Sequence, residues 1–367
     1  MNLPVLQKRP RTIGRAKPAT RSHADAEPPG EARTPKPTPD RILQIAWGYA
    51  PPLILATALH YQVFDRLEEA PQTAEELAAR CAASTRGFTA ILNALVGLNL
   101  LGKTGDRYVL TPESEAFLVS TKPAYHGDYF RHATRQLMPR WLKLTDVVRT
   151  GHPVVAANQS ETAPEFFSEF VESLFPLNYQ AARALGEHLG IPKVMSPFSV
   201  LDIGAGSGVW GIALAHQSPF VRVLAVDWPV VLEITRRVAR QQGIGERLRT
   251  SEGDLLDADF GGEHQMATIG HILHGEGRDR SRQLLKKTYS ALAPGGTIAI
   301  SEFMPNAERT GPSNALIFSV NMLIHTEAGD TFTFEEIAQW LREAGFESPR
   351  LLEAPAPSPL VLANKPR

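Results

Sequence analysis

Apolar positions recur along this chain with two different periods, which predict two folded regions. Between residues 41 and 69 the apolar side chains follow helical spacing, and we expect Pro51 and Pro52 to break this pattern. From about residue 195 onward, short apolar runs alternate with helical patterns instead. We therefore expect a mostly helical N-terminal region followed by an α/β region.

Two more helices and a hairpin complete the N-terminal region, which we place at residues 40–125. Thr73 and Glu76 have the spacing of a capping box, and Ser84 is placed to cap the next helix. Two short strands with a turn between them follow at residues 101–110. Helix, helix and hairpin in this order predict a winged helix.

Winged helices often bind DNA, but the charge of this one does not favour that function. Arg86 is the only basic residue between residues 84 and 99, where a DNA-reading helix needs a cluster of phosphate-neutralising charges. The surface of this helix is instead mostly apolar. We therefore expect a protein–protein face here and no nucleic-acid partner.

The second region, residues 195–367, has the alternation of a doubly wound α/β sheet. Strands are predicted at 200–203, 221–226, 266–271, 297–302, 350–353 and 360–364, and helices at 209–216, 229–242, 278–292 and 335–344. The last two strands are close enough in sequence to form an antiparallel pair. The predicted fold is a Rossmann-like sheet preceded by a mostly helical winged-helix domain.

Residues 126–194 connect the two regions and are rich in large apolar side chains. We interpret this segment as a helical linker that contributes to a substrate pocket, because pockets are common at domain interfaces. Phe175, Asn178 and Tyr179 are the candidates for that pocket. Such a lining favours a hydrophobic or aromatic small molecule.

Residues 1–39 differ from the rest in composition. They hold eight prolines and eight Lys or Arg against three acidic residues, and they have few apolar groups to bury, so we expect a disordered tail. The formal net charge of the chain is −1, which gives no bias towards nucleic acid or anionic membranes. The single cysteine, Cys81, suits a reducing, cytoplasmic location. We expect no membrane span, since no apolar run approaches the roughly 18 residues required.

A glycine-rich turn follows the first strand of the second region. Gly204, Gly206 and Gly208 allow a ligand to approach the backbone closely at the carboxyl end of a parallel strand. The spacing of Gly206, Gly208 and Gly211 also fits a dinucleotide fingerprint, so the glycines alone leave a nicotinamide cofactor open. Asp202, just before the turn, would repel a pyrophosphate but can accept hydrogen bonds through water from an amino-acid ammonium.

Acidic residues at three successive strand ends narrow the choice of ligand. Asp227 lies 23 residues after Gly204, where a ribose diol is held, and Asp254 is placed to accept from an adenine amino group. Together with Asp202 they fit S-adenosylmethionine, which has a cationic methionine end, a ribose and an adenine. Their neighbours Trp228 and Leu255 complete the predicted cofactor-binding set.

With these residues in place, the chain resembles class I S-adenosylmethionine-dependent small-molecule O-methyltransferases with an N-terminal winged-helix dimerisation domain. The resemblance covers about residues 40–367. It rests on motifs in a linked order: Leu201-Asp-Ile-Gly-Ala-Gly-Ser-Gly208, Val226-Asp227, Gly253-Asp254, Ile272-Leu-His274, Ala293-Pro-Gly-Gly296 and Ser301-Glu302. It implies methyl transfer to a hydroxyl of a small molecule, S-adenosylhomocysteine as the product, and a homodimer formed through the N-terminal domain.

The resemblance also implies a catalytic His274, oriented by Glu302 at the end of the fifth strand. The Asp-Trp pair that commonly follows this histidine is absent, and a second family glutamate falls on Thr331. Substrate-lining positions of the family match Met322 and Thr326, to which we add His271. An imidazole with an ordinary pKa near 6.5 suits a general base for a hydroxyl acceptor.

Other functions stay open at this point. A thiol or thioether acceptor needs a base less than a hydroxyl does, so the altered motif around His274 leaves an S-methyltransferase as the alternative. A nicotinamide-dependent oxidoreductase is a more distant alternative, and a regulator that senses the same cofactor would need the basic residues that the winged helix lacks. We expect no metal site, since His271 and His274 would point to opposite faces of a strand.

Overall fold

The computed structural model describes residues 37–156, 170–355 and 358–367, and its first helix belongs to a unit of its own. Helix α1 is Asp40–Ala46, and none of its residues is buried. The unit that ends at Ala46 is separate from the unit Trp47–Arg367. Most of the predicted tail, residues 1–36, lies outside the described residues.

The N-terminal part of the larger unit has the predicted order of helices and hairpin. Its elements are α2 Ala50–His60, α3 Val63–Glu69, α4 Ala74–Arg80, α5 Thr85–Gly97, β1 Leu101–Thr104 and β2 Arg107–Leu110. The capping box is confirmed, because the Glu76 amide donates to Thr73 Oγ1 at 3.2 Å and the Thr73 amide donates to Glu76 Oε2 at 2.9 Å. Ser84 caps α5 by accepting from the Gly87 amide at 3.3 Å.

The expected break at Pro51 and Pro52 is wrong in its position. The two prolines occupy the first turn of α2, and the helical pattern is interrupted at residues 47–49 instead. Proline is well tolerated at a helix start, because its missing N–H would have no intrahelical partner there. The prolines therefore begin a helix rather than end one.

Helices also dominate the described part of residues 112–193. They are α6 Pro112–Leu118, α7 Gly127–His132, α8 Met138–Trp141, α9 Leu144–Thr150 and α10 Phe175–His188. A wider helical turn at 133–137 joins α7 to α8, and a short helical turn at 171–174 leads into α10. The predicted helical character of 126–194 is confirmed for the described residues, whereas 157–169 lie outside them.

A seven-stranded sheet forms the second region. Its strands are β3 Phe198–Ile203, β4 Val221–Asp227, β5 Leu248–Glu252, β6 His264–Gly270, β7 Leu292–Ser301, β8 Glu347–Leu352 and β9 Leu360–Asn364. The spatial order is β5-β4-β3-β6-β7-β9-β8, and the first five strands are parallel. Strand β9 lies antiparallel between β7 and β8, so the sheet is mixed and the predicted antiparallel pair is confirmed.

Helices cover both faces of this sheet and enclose two cores. These helices are α10, α11 Val209–Gln217, α12 Pro229–Gln241, α13 Leu273–Ala291 and α15 Phe334–Ala344, while α14 Ser313–His325 packs on α8, α9 and α13. Val200 and Leu201 are both fully buried but belong to different cores, because successive strand residues point to opposite faces. One core contains residues of α10, α11 and α12, and the other contains residues of α13 and α15. The doubly wound α/β architecture is therefore confirmed.

The strand order reverses between β3 and β6, and this reversal places the site. The chain leaves β3 towards β4 on one side and later returns to place β6 on the other side. Crevices at such switch points, outside the carboxyl ends of the strands, are where open α/β sheets bind ligands. The turns that follow β3, β4, β5, β6 and β7 all meet at this edge.

One stretch of the described residues is long and apolar enough to cross a membrane. Asp40–His60 spans 21 residues with a mean hydropathy of 1.4, and 17% of its most apolar window is buried. The sequence led us to expect no such segment, and by length and composition this stretch meets the requirement. The turn at residues 47–49 interrupts it between α1 and α2.

Candidate active site

The glycine turn after β3 is tightly tied to β4. Gly204, Gly206 and Gly208 have φ angles of 63°, 55° and 77°, a region that favours glycine. The amides of Gly204 and Ala205 both donate to the Val226 carbonyl, at 2.9 and 3.1 Å. A Cβ added at Gly206 would come into ordinary contact with Val171, at 3.7 Å. Gly204 and Gly206 are half-buried, so part of the turn stays accessible at the carboxyl end of β3.

Asp202, at the end of β3 before the glycine turn, accepts hydrogen bonds from α11 and β6. Its side chain is 1% exposed, and its Oδ2 accepts from the Gly211 amide at 2.9 Å while its Oδ1 accepts from Thr268 Oγ1 at 2.7 Å. Burial raises the pKa of Asp202 to about 7, against the two hydrogen bonds, which lower it. Each oxygen thus accepts one hydrogen bond, and the two bonds join β3 to α11 and β6, while the water-mediated contact with a ligand that we expected of Asp202 stays a prediction.

The raised pKa of Asp202 gives a testable pH dependence of stability. A carboxyl with a higher pKa in the folded than in the unfolded state binds more protons when folded, so its stabilising contribution is lost as pH rises from about 4 to 7. We expect the free energy of unfolding to fall with pH more steeply for the wild type than for Asp202→Asn, by up to about 1.4 kcal/mol per pH unit. Urea unfolding between pH 5 and 8 measures this, with the exposed Asp279→Asn as control; equal slopes would contradict it.

Asp227 closes the other side of the turn. Its Oδ2 accepts from the Gly206 amide and its Oδ1 from the Trp228 amide, both at 2.8 Å. The Gly206 carbonyl in turn accepts from Thr235 Oγ1 at 2.6 Å, so both the amide and the carbonyl of Gly206 are hydrogen-bonded. Burial raises the pKa of Asp227 to about 6, and the residue is half-buried at the end of β4. Trp228 is half-buried beside it and packs on the core of the α10–α12 face.

Asp254, on the turn after β5, lies next to Asp227 along the sheet edge. The amide of the preceding Gly253 donates to the Asp227 carbonyl at 3.1 Å. The Asp254 carboxylate is paired with Arg280 of α13, at 2.8 and 2.7 Å, and Arg280 also donates to Glu276 at 2.6 Å. Sequence reasoning missed Arg280, although the four-residue spacing from Glu276 on a helix is the signature of such a pair.

Leu255 is 9% exposed and belongs to the core on the α13 face. Its side chain therefore contributes mainly to packing, while its backbone carries the turn next to Asp254. The three predicted acids thus lie in order along the ends of β3, β4 and β5; Asp227 is a half-buried residue, and the Asp254 side chain is 24% exposed.

His274 and Glu302 form a close pair across the ends of β6 and β7. His274 Nδ1 lies 2.7 Å from Glu302 Oε2, and the His274 amide donates to Glu302 Oε1 at 3.3 Å. The Glu302 side chain is 3% exposed and the His274 side chain 13%. Burial alone would raise the pKa of Glu302, but the charge and hydrogen bonds of His274 outweigh it and hold that pKa below its ordinary value. The carboxylate is therefore ionised and accepts from the ring.

Two phenylalanines flank the His274 ring. Phe318 meets it edge-on with ring centroids 4.8 Å apart, and Phe303 lies 4.3 Å from Phe318. Aromatic faces at these distances form an apolar wall. The exposed part of the imidazole therefore borders on a hydrophobic surface.

The geometric reason for expecting no metal site is wrong. Strand β6 ends at Gly270, and His271 has a φ of 60°, which turns the chain so that the rings of His271 and His274 lie 6.2 Å apart. His271, His274 and Glu302 each place one ligand-type atom within 4.8 Å of the others. Burial lowers the pKa of His271 to about 4, and its Nε2 lies 3.2 Å from Ser301 Oγ. His271 is therefore a neutral neighbour of the pair.

The residues expected to line a substrate pocket fall into two groups. Phe175 and Tyr179 stack with centroids 5.5 Å apart and pack on the core of the α10–α12 face, where Tyr179 Oη lies 2.9 Å from His216 Nδ1. Asn178 is 6% exposed, and its Oδ1 has no hydrogen-bond partner among the described residues, which leaves a buried acceptor open. The Phe175–Tyr179 pair thus packs as core, while Asn178 keeps the character of a binding residue.

Met322 and Thr326 lie on and just after α14, which carries Phe318. Both are 6% exposed, and Thr326 Oγ1 donates to the Met322 carbonyl at 2.7 Å. Asn321, the residue before Met322, accepts through Oδ1 from Trp141 Nε1 at 3.1 Å, which ties α8 to this helix. The sequence pattern did not predict α14 as an element, yet it brings these residues to the side of His274.

Thr331, an uncharged residue, occupies the position of the second family glutamate. Thr331 is fully buried, and its Oγ1 has no hydrogen-bond partner among the described residues. The neighbouring Asp330, which sequence reasoning missed, donates its amide to the His274 carbonyl at 3.0 Å, and its Oδ1 accepts from Ser319 Oγ at 2.5 Å. A carboxylate is therefore present one residue away, but it is directed to α14.

Comparison with known proteins gives a consistent result over most of the chain. A sequence profile of the O-methyltransferase domain matches residues 141–347, and a profile of the O-methyltransferase dimerisation domain matches residues 43–120. The 3-hydroxy-5-methyl-1-naphthoate 3-O-methyltransferase of Streptomyces sahachiroi is 30% identical over 325 residues, which cover 87% of this chain and 92% of the relative. The N,N-dimethyltransferase OxyT of Streptomyces rimosus is 27% identical, over 83% of this chain and 90% of its own.

A solved structure supports the same assignment. The structure described as PigF with SAH is 25% identical and superposes with a TM-score of 0.78, covering 89% of this chain and 100% of that one. The S-adenosyl-L-methionine-dependent methyl transferase PigF of a Serratia species is 29% identical over 85% of this chain and 91% of its own.

Proposed function

Because this chain belongs to the family of S-adenosylmethionine-dependent small-molecule O-methyltransferases, we propose that it methylates a hydroxyl of a small molecule with His274 as general base. The observation that carries this proposal is the contact of 2.7 Å between His274 Nδ1 and the buried Glu302. Family membership favours methyl transfer over the nicotinamide-dependent alternative. The acceptor is proposed to be hydrophobic or aromatic, because Phe303 and Phe318 border the imidazole.

The residues at the ends of β3, β4 and β5 fit the family's cofactor. When bound, S-adenosylmethionine supplies a methyl group on a cationic sulfur. We assign the glycine turn at 204–208 to its amino-acid end, Asp227 to the ribose hydroxyls and Asp254 to the adenine amino group. The fit rests on the half-buried Gly204 and Gly206, on the half-buried Asp227 and on the Asp254 side chain, which is 24% exposed.

The pair of His274 and Glu302 then accepts the proton that the hydroxyl of the acceptor loses. A phenol with a pKa near 10 costs about 4 kcal/mol to ionise at pH 7, and a base held at its oxygen lowers the barrier by accepting the proton as the methyl group is transferred. Because Nδ1–H donates to the Glu302 carboxylate, Nε2 carries the free lone pair that accepts the proton. Glu302 also stabilises the imidazolium that results, as the acid does in other histidine–carboxylate pairs.

We also propose that the protein is a homodimer. The dimerisation-domain match covers residues 43–120, and within it Trp47, Tyr49 and Leu53 are 66%, 59% and 43% exposed. Large apolar side chains exposed together mark interaction surfaces. Light scattering after gel filtration tests this, and a mass near the 40.2 kDa of one chain would contradict it.

A labelled-methyl assay tests the proposed reaction. The protein is incubated with methyl-labelled S-adenosylmethionine and a panel of phenols and alcohols, thiols, and amines, and the label is traced in the products. We expect label on oxygen, with aromatic hydroxyls ahead of aliphatic ones. The amines are included because one relative is named an N,N-dimethyltransferase. Label confined to sulfur would favour the S-methyltransferase, and label confined to nitrogen would favour an amine acceptor.

A further inference from the structure

The turn that follows β5 is held to α13 by two cations that the proposed chemistry does not use. Arg280 contacts the side chain of this turn, with Nη2 2.8 Å from Asp254 Oδ1 and 2.7 Å from Oδ2. Lys287, two helical turns further on, contacts its backbone by donating to the carbonyls of Leu255, Leu256 and Ala258. Helix α13 therefore fixes this turn in two ways: Arg280 holds the Asp254 carboxylate, and Lys287 holds the backbone carbonyls.

Arg280 is itself held in place. Its Nε donates to Glu276 Oε2 at 2.6 Å, and the Glu276 side chain is 12% exposed. The planar guanidinium thus bridges two carboxylates, which sets its orientation as well as its position. The Asp254 carboxylate, 24% exposed, cannot rotate without losing both of its contacts with Arg280.

The hydrogen bonds that the Asp254 carboxylate already accepts leave few of its acceptor positions free. A carboxylate offers about four acceptor positions. Arg280 takes one position on each oxygen, and the Leu256 amide takes a second on Oδ1 at 2.9 Å. One acceptor position on Oδ2 is left, which matches a single N–H donor.

We propose that Arg280 is a positioning residue that makes this site selective for a 6-aminopurine. By fixing the Asp254 carboxylate, Arg280 aims the remaining acceptor position at the exocyclic amino group of the cofactor's adenine. A purine with a carbonyl at the same carbon would place an acceptor against an acceptor there. This inference rests on the proposed function, which assigns the adenine to Asp254.

The test compares S-adenosylhomocysteine with S-inosylhomocysteine, whose purine has a carbonyl in place of the 6-amino group and a proton on N1. Their dissociation constants are measured by calorimetry with the wild type, Arg280→Gln and Arg280→Lys. We expect Arg280→Gln to weaken S-adenosylhomocysteine binding about tenfold, as is typical for a hydrogen bond to a charged group, and S-inosylhomocysteine binding less than about twofold. Arg280→Lys, which keeps the charge but not the fork, is expected to fall between.

Arg282→Gln is the matched control, because it removes a surface ion pair with Glu343 from the same helix. Equal loss for both ligands, or no loss for either, would overturn the inference. If Arg280→Gln fails to fold, Glu276→Gln and Arg280→Lys carry the same comparison, and unchanged selectivity in both would overturn it. Failure of the wild type to bind S-adenosylhomocysteine would overturn the proposed function as well.

Discussion

Replacing His274 by alanine is expected to lower kcat for a hydroxyl acceptor by about 100- to 10,000-fold, the usual contribution of a general base. The imidazole is 13% exposed and held by Glu302 at 2.7 Å, and the neighbouring His271, whose pKa burial lowers to about 4, is too weak a base to replace it. Binding of S-adenosylhomocysteine should stay within about twofold of the wild type, because His274 is not assigned to the cofactor. Steady-state kinetics and calorimetry separate the two effects.

Two further variants sharpen this result. Glu302→Gln keeps an oxygen that accepts from Nδ1–H but no longer stabilises the imidazolium, so we expect a smaller loss of about 10- to 100-fold. His188→Ala, an exposed histidine at the end of α10, is the control. A kcat for His274→Ala within threefold of the wild type on a phenol would contradict the assignment of the base. The kcat of His274→Ala for a thiol acceptor, which has a pKa near 8.5, should fall much less than its kcat for a phenol.

Replacing Asp227 by alanine is expected to weaken S-adenosylhomocysteine binding by about 100-fold. The carboxylate is assigned to two ribose hydroxyls, and hydrogen bonds to charged groups contribute about 1.5–3 kcal/mol each. The substitution also leaves the amides of Gly206 and Trp228 without their acceptor, so the glycine turn loses a support. Calorimetry measures the dissociation constant, with the exposed Asp279→Ala as control. A change below threefold would contradict the role of Asp227.

The same residue predicts how binding depends on pH. Hydroxyl donors favour the ionised carboxylate, and the pKa of Asp227 is raised to about 6, so wild-type affinity should fall as pH drops through 6. Asp227→Asn has no such proton to take up, and its weaker binding should stay level over pH 5–8. A parallel fall in both proteins would assign the pH dependence to another group.

Most of the fold could be predicted from local patterns. The capping residues Thr73 and Ser84, the alternating runs of the sheet and the antiparallel final pair were all visible in the sequence. Pro51 shows the limit of such patterns, since proline interrupts a helix interior but starts a helix equally well. Helix α14 was missed because it is apolar over most of its length and carries no clear amphipathic period.

The parts of the site that could be predicted are those in which a residue type at a single motif position identifies the role. His274 and Glu302 were named from the family resemblance and lie in hydrogen-bond contact, 28 residues apart in the chain. The roles of Asp202 and Arg280 depend on contacts across the fold that no local pattern records. For His271, the strand pattern predicted the wrong direction, because a single left-handed backbone angle turns the chain.

Strand β9 has a consequence for the newly made protein. It fills the space between β7 and β8, so the backbone of 297–301 stays without its partner until residues 360–364 have left the ribosome. At 5–20 residues per second that delay lasts several seconds. During this time β7 presents a buried-type apolar strand edge to its surroundings, which is the kind of edge that pairs with other nascent chains and leads to aggregation. Protection by chaperones should therefore matter most between the synthesis of β7 and the synthesis of β9.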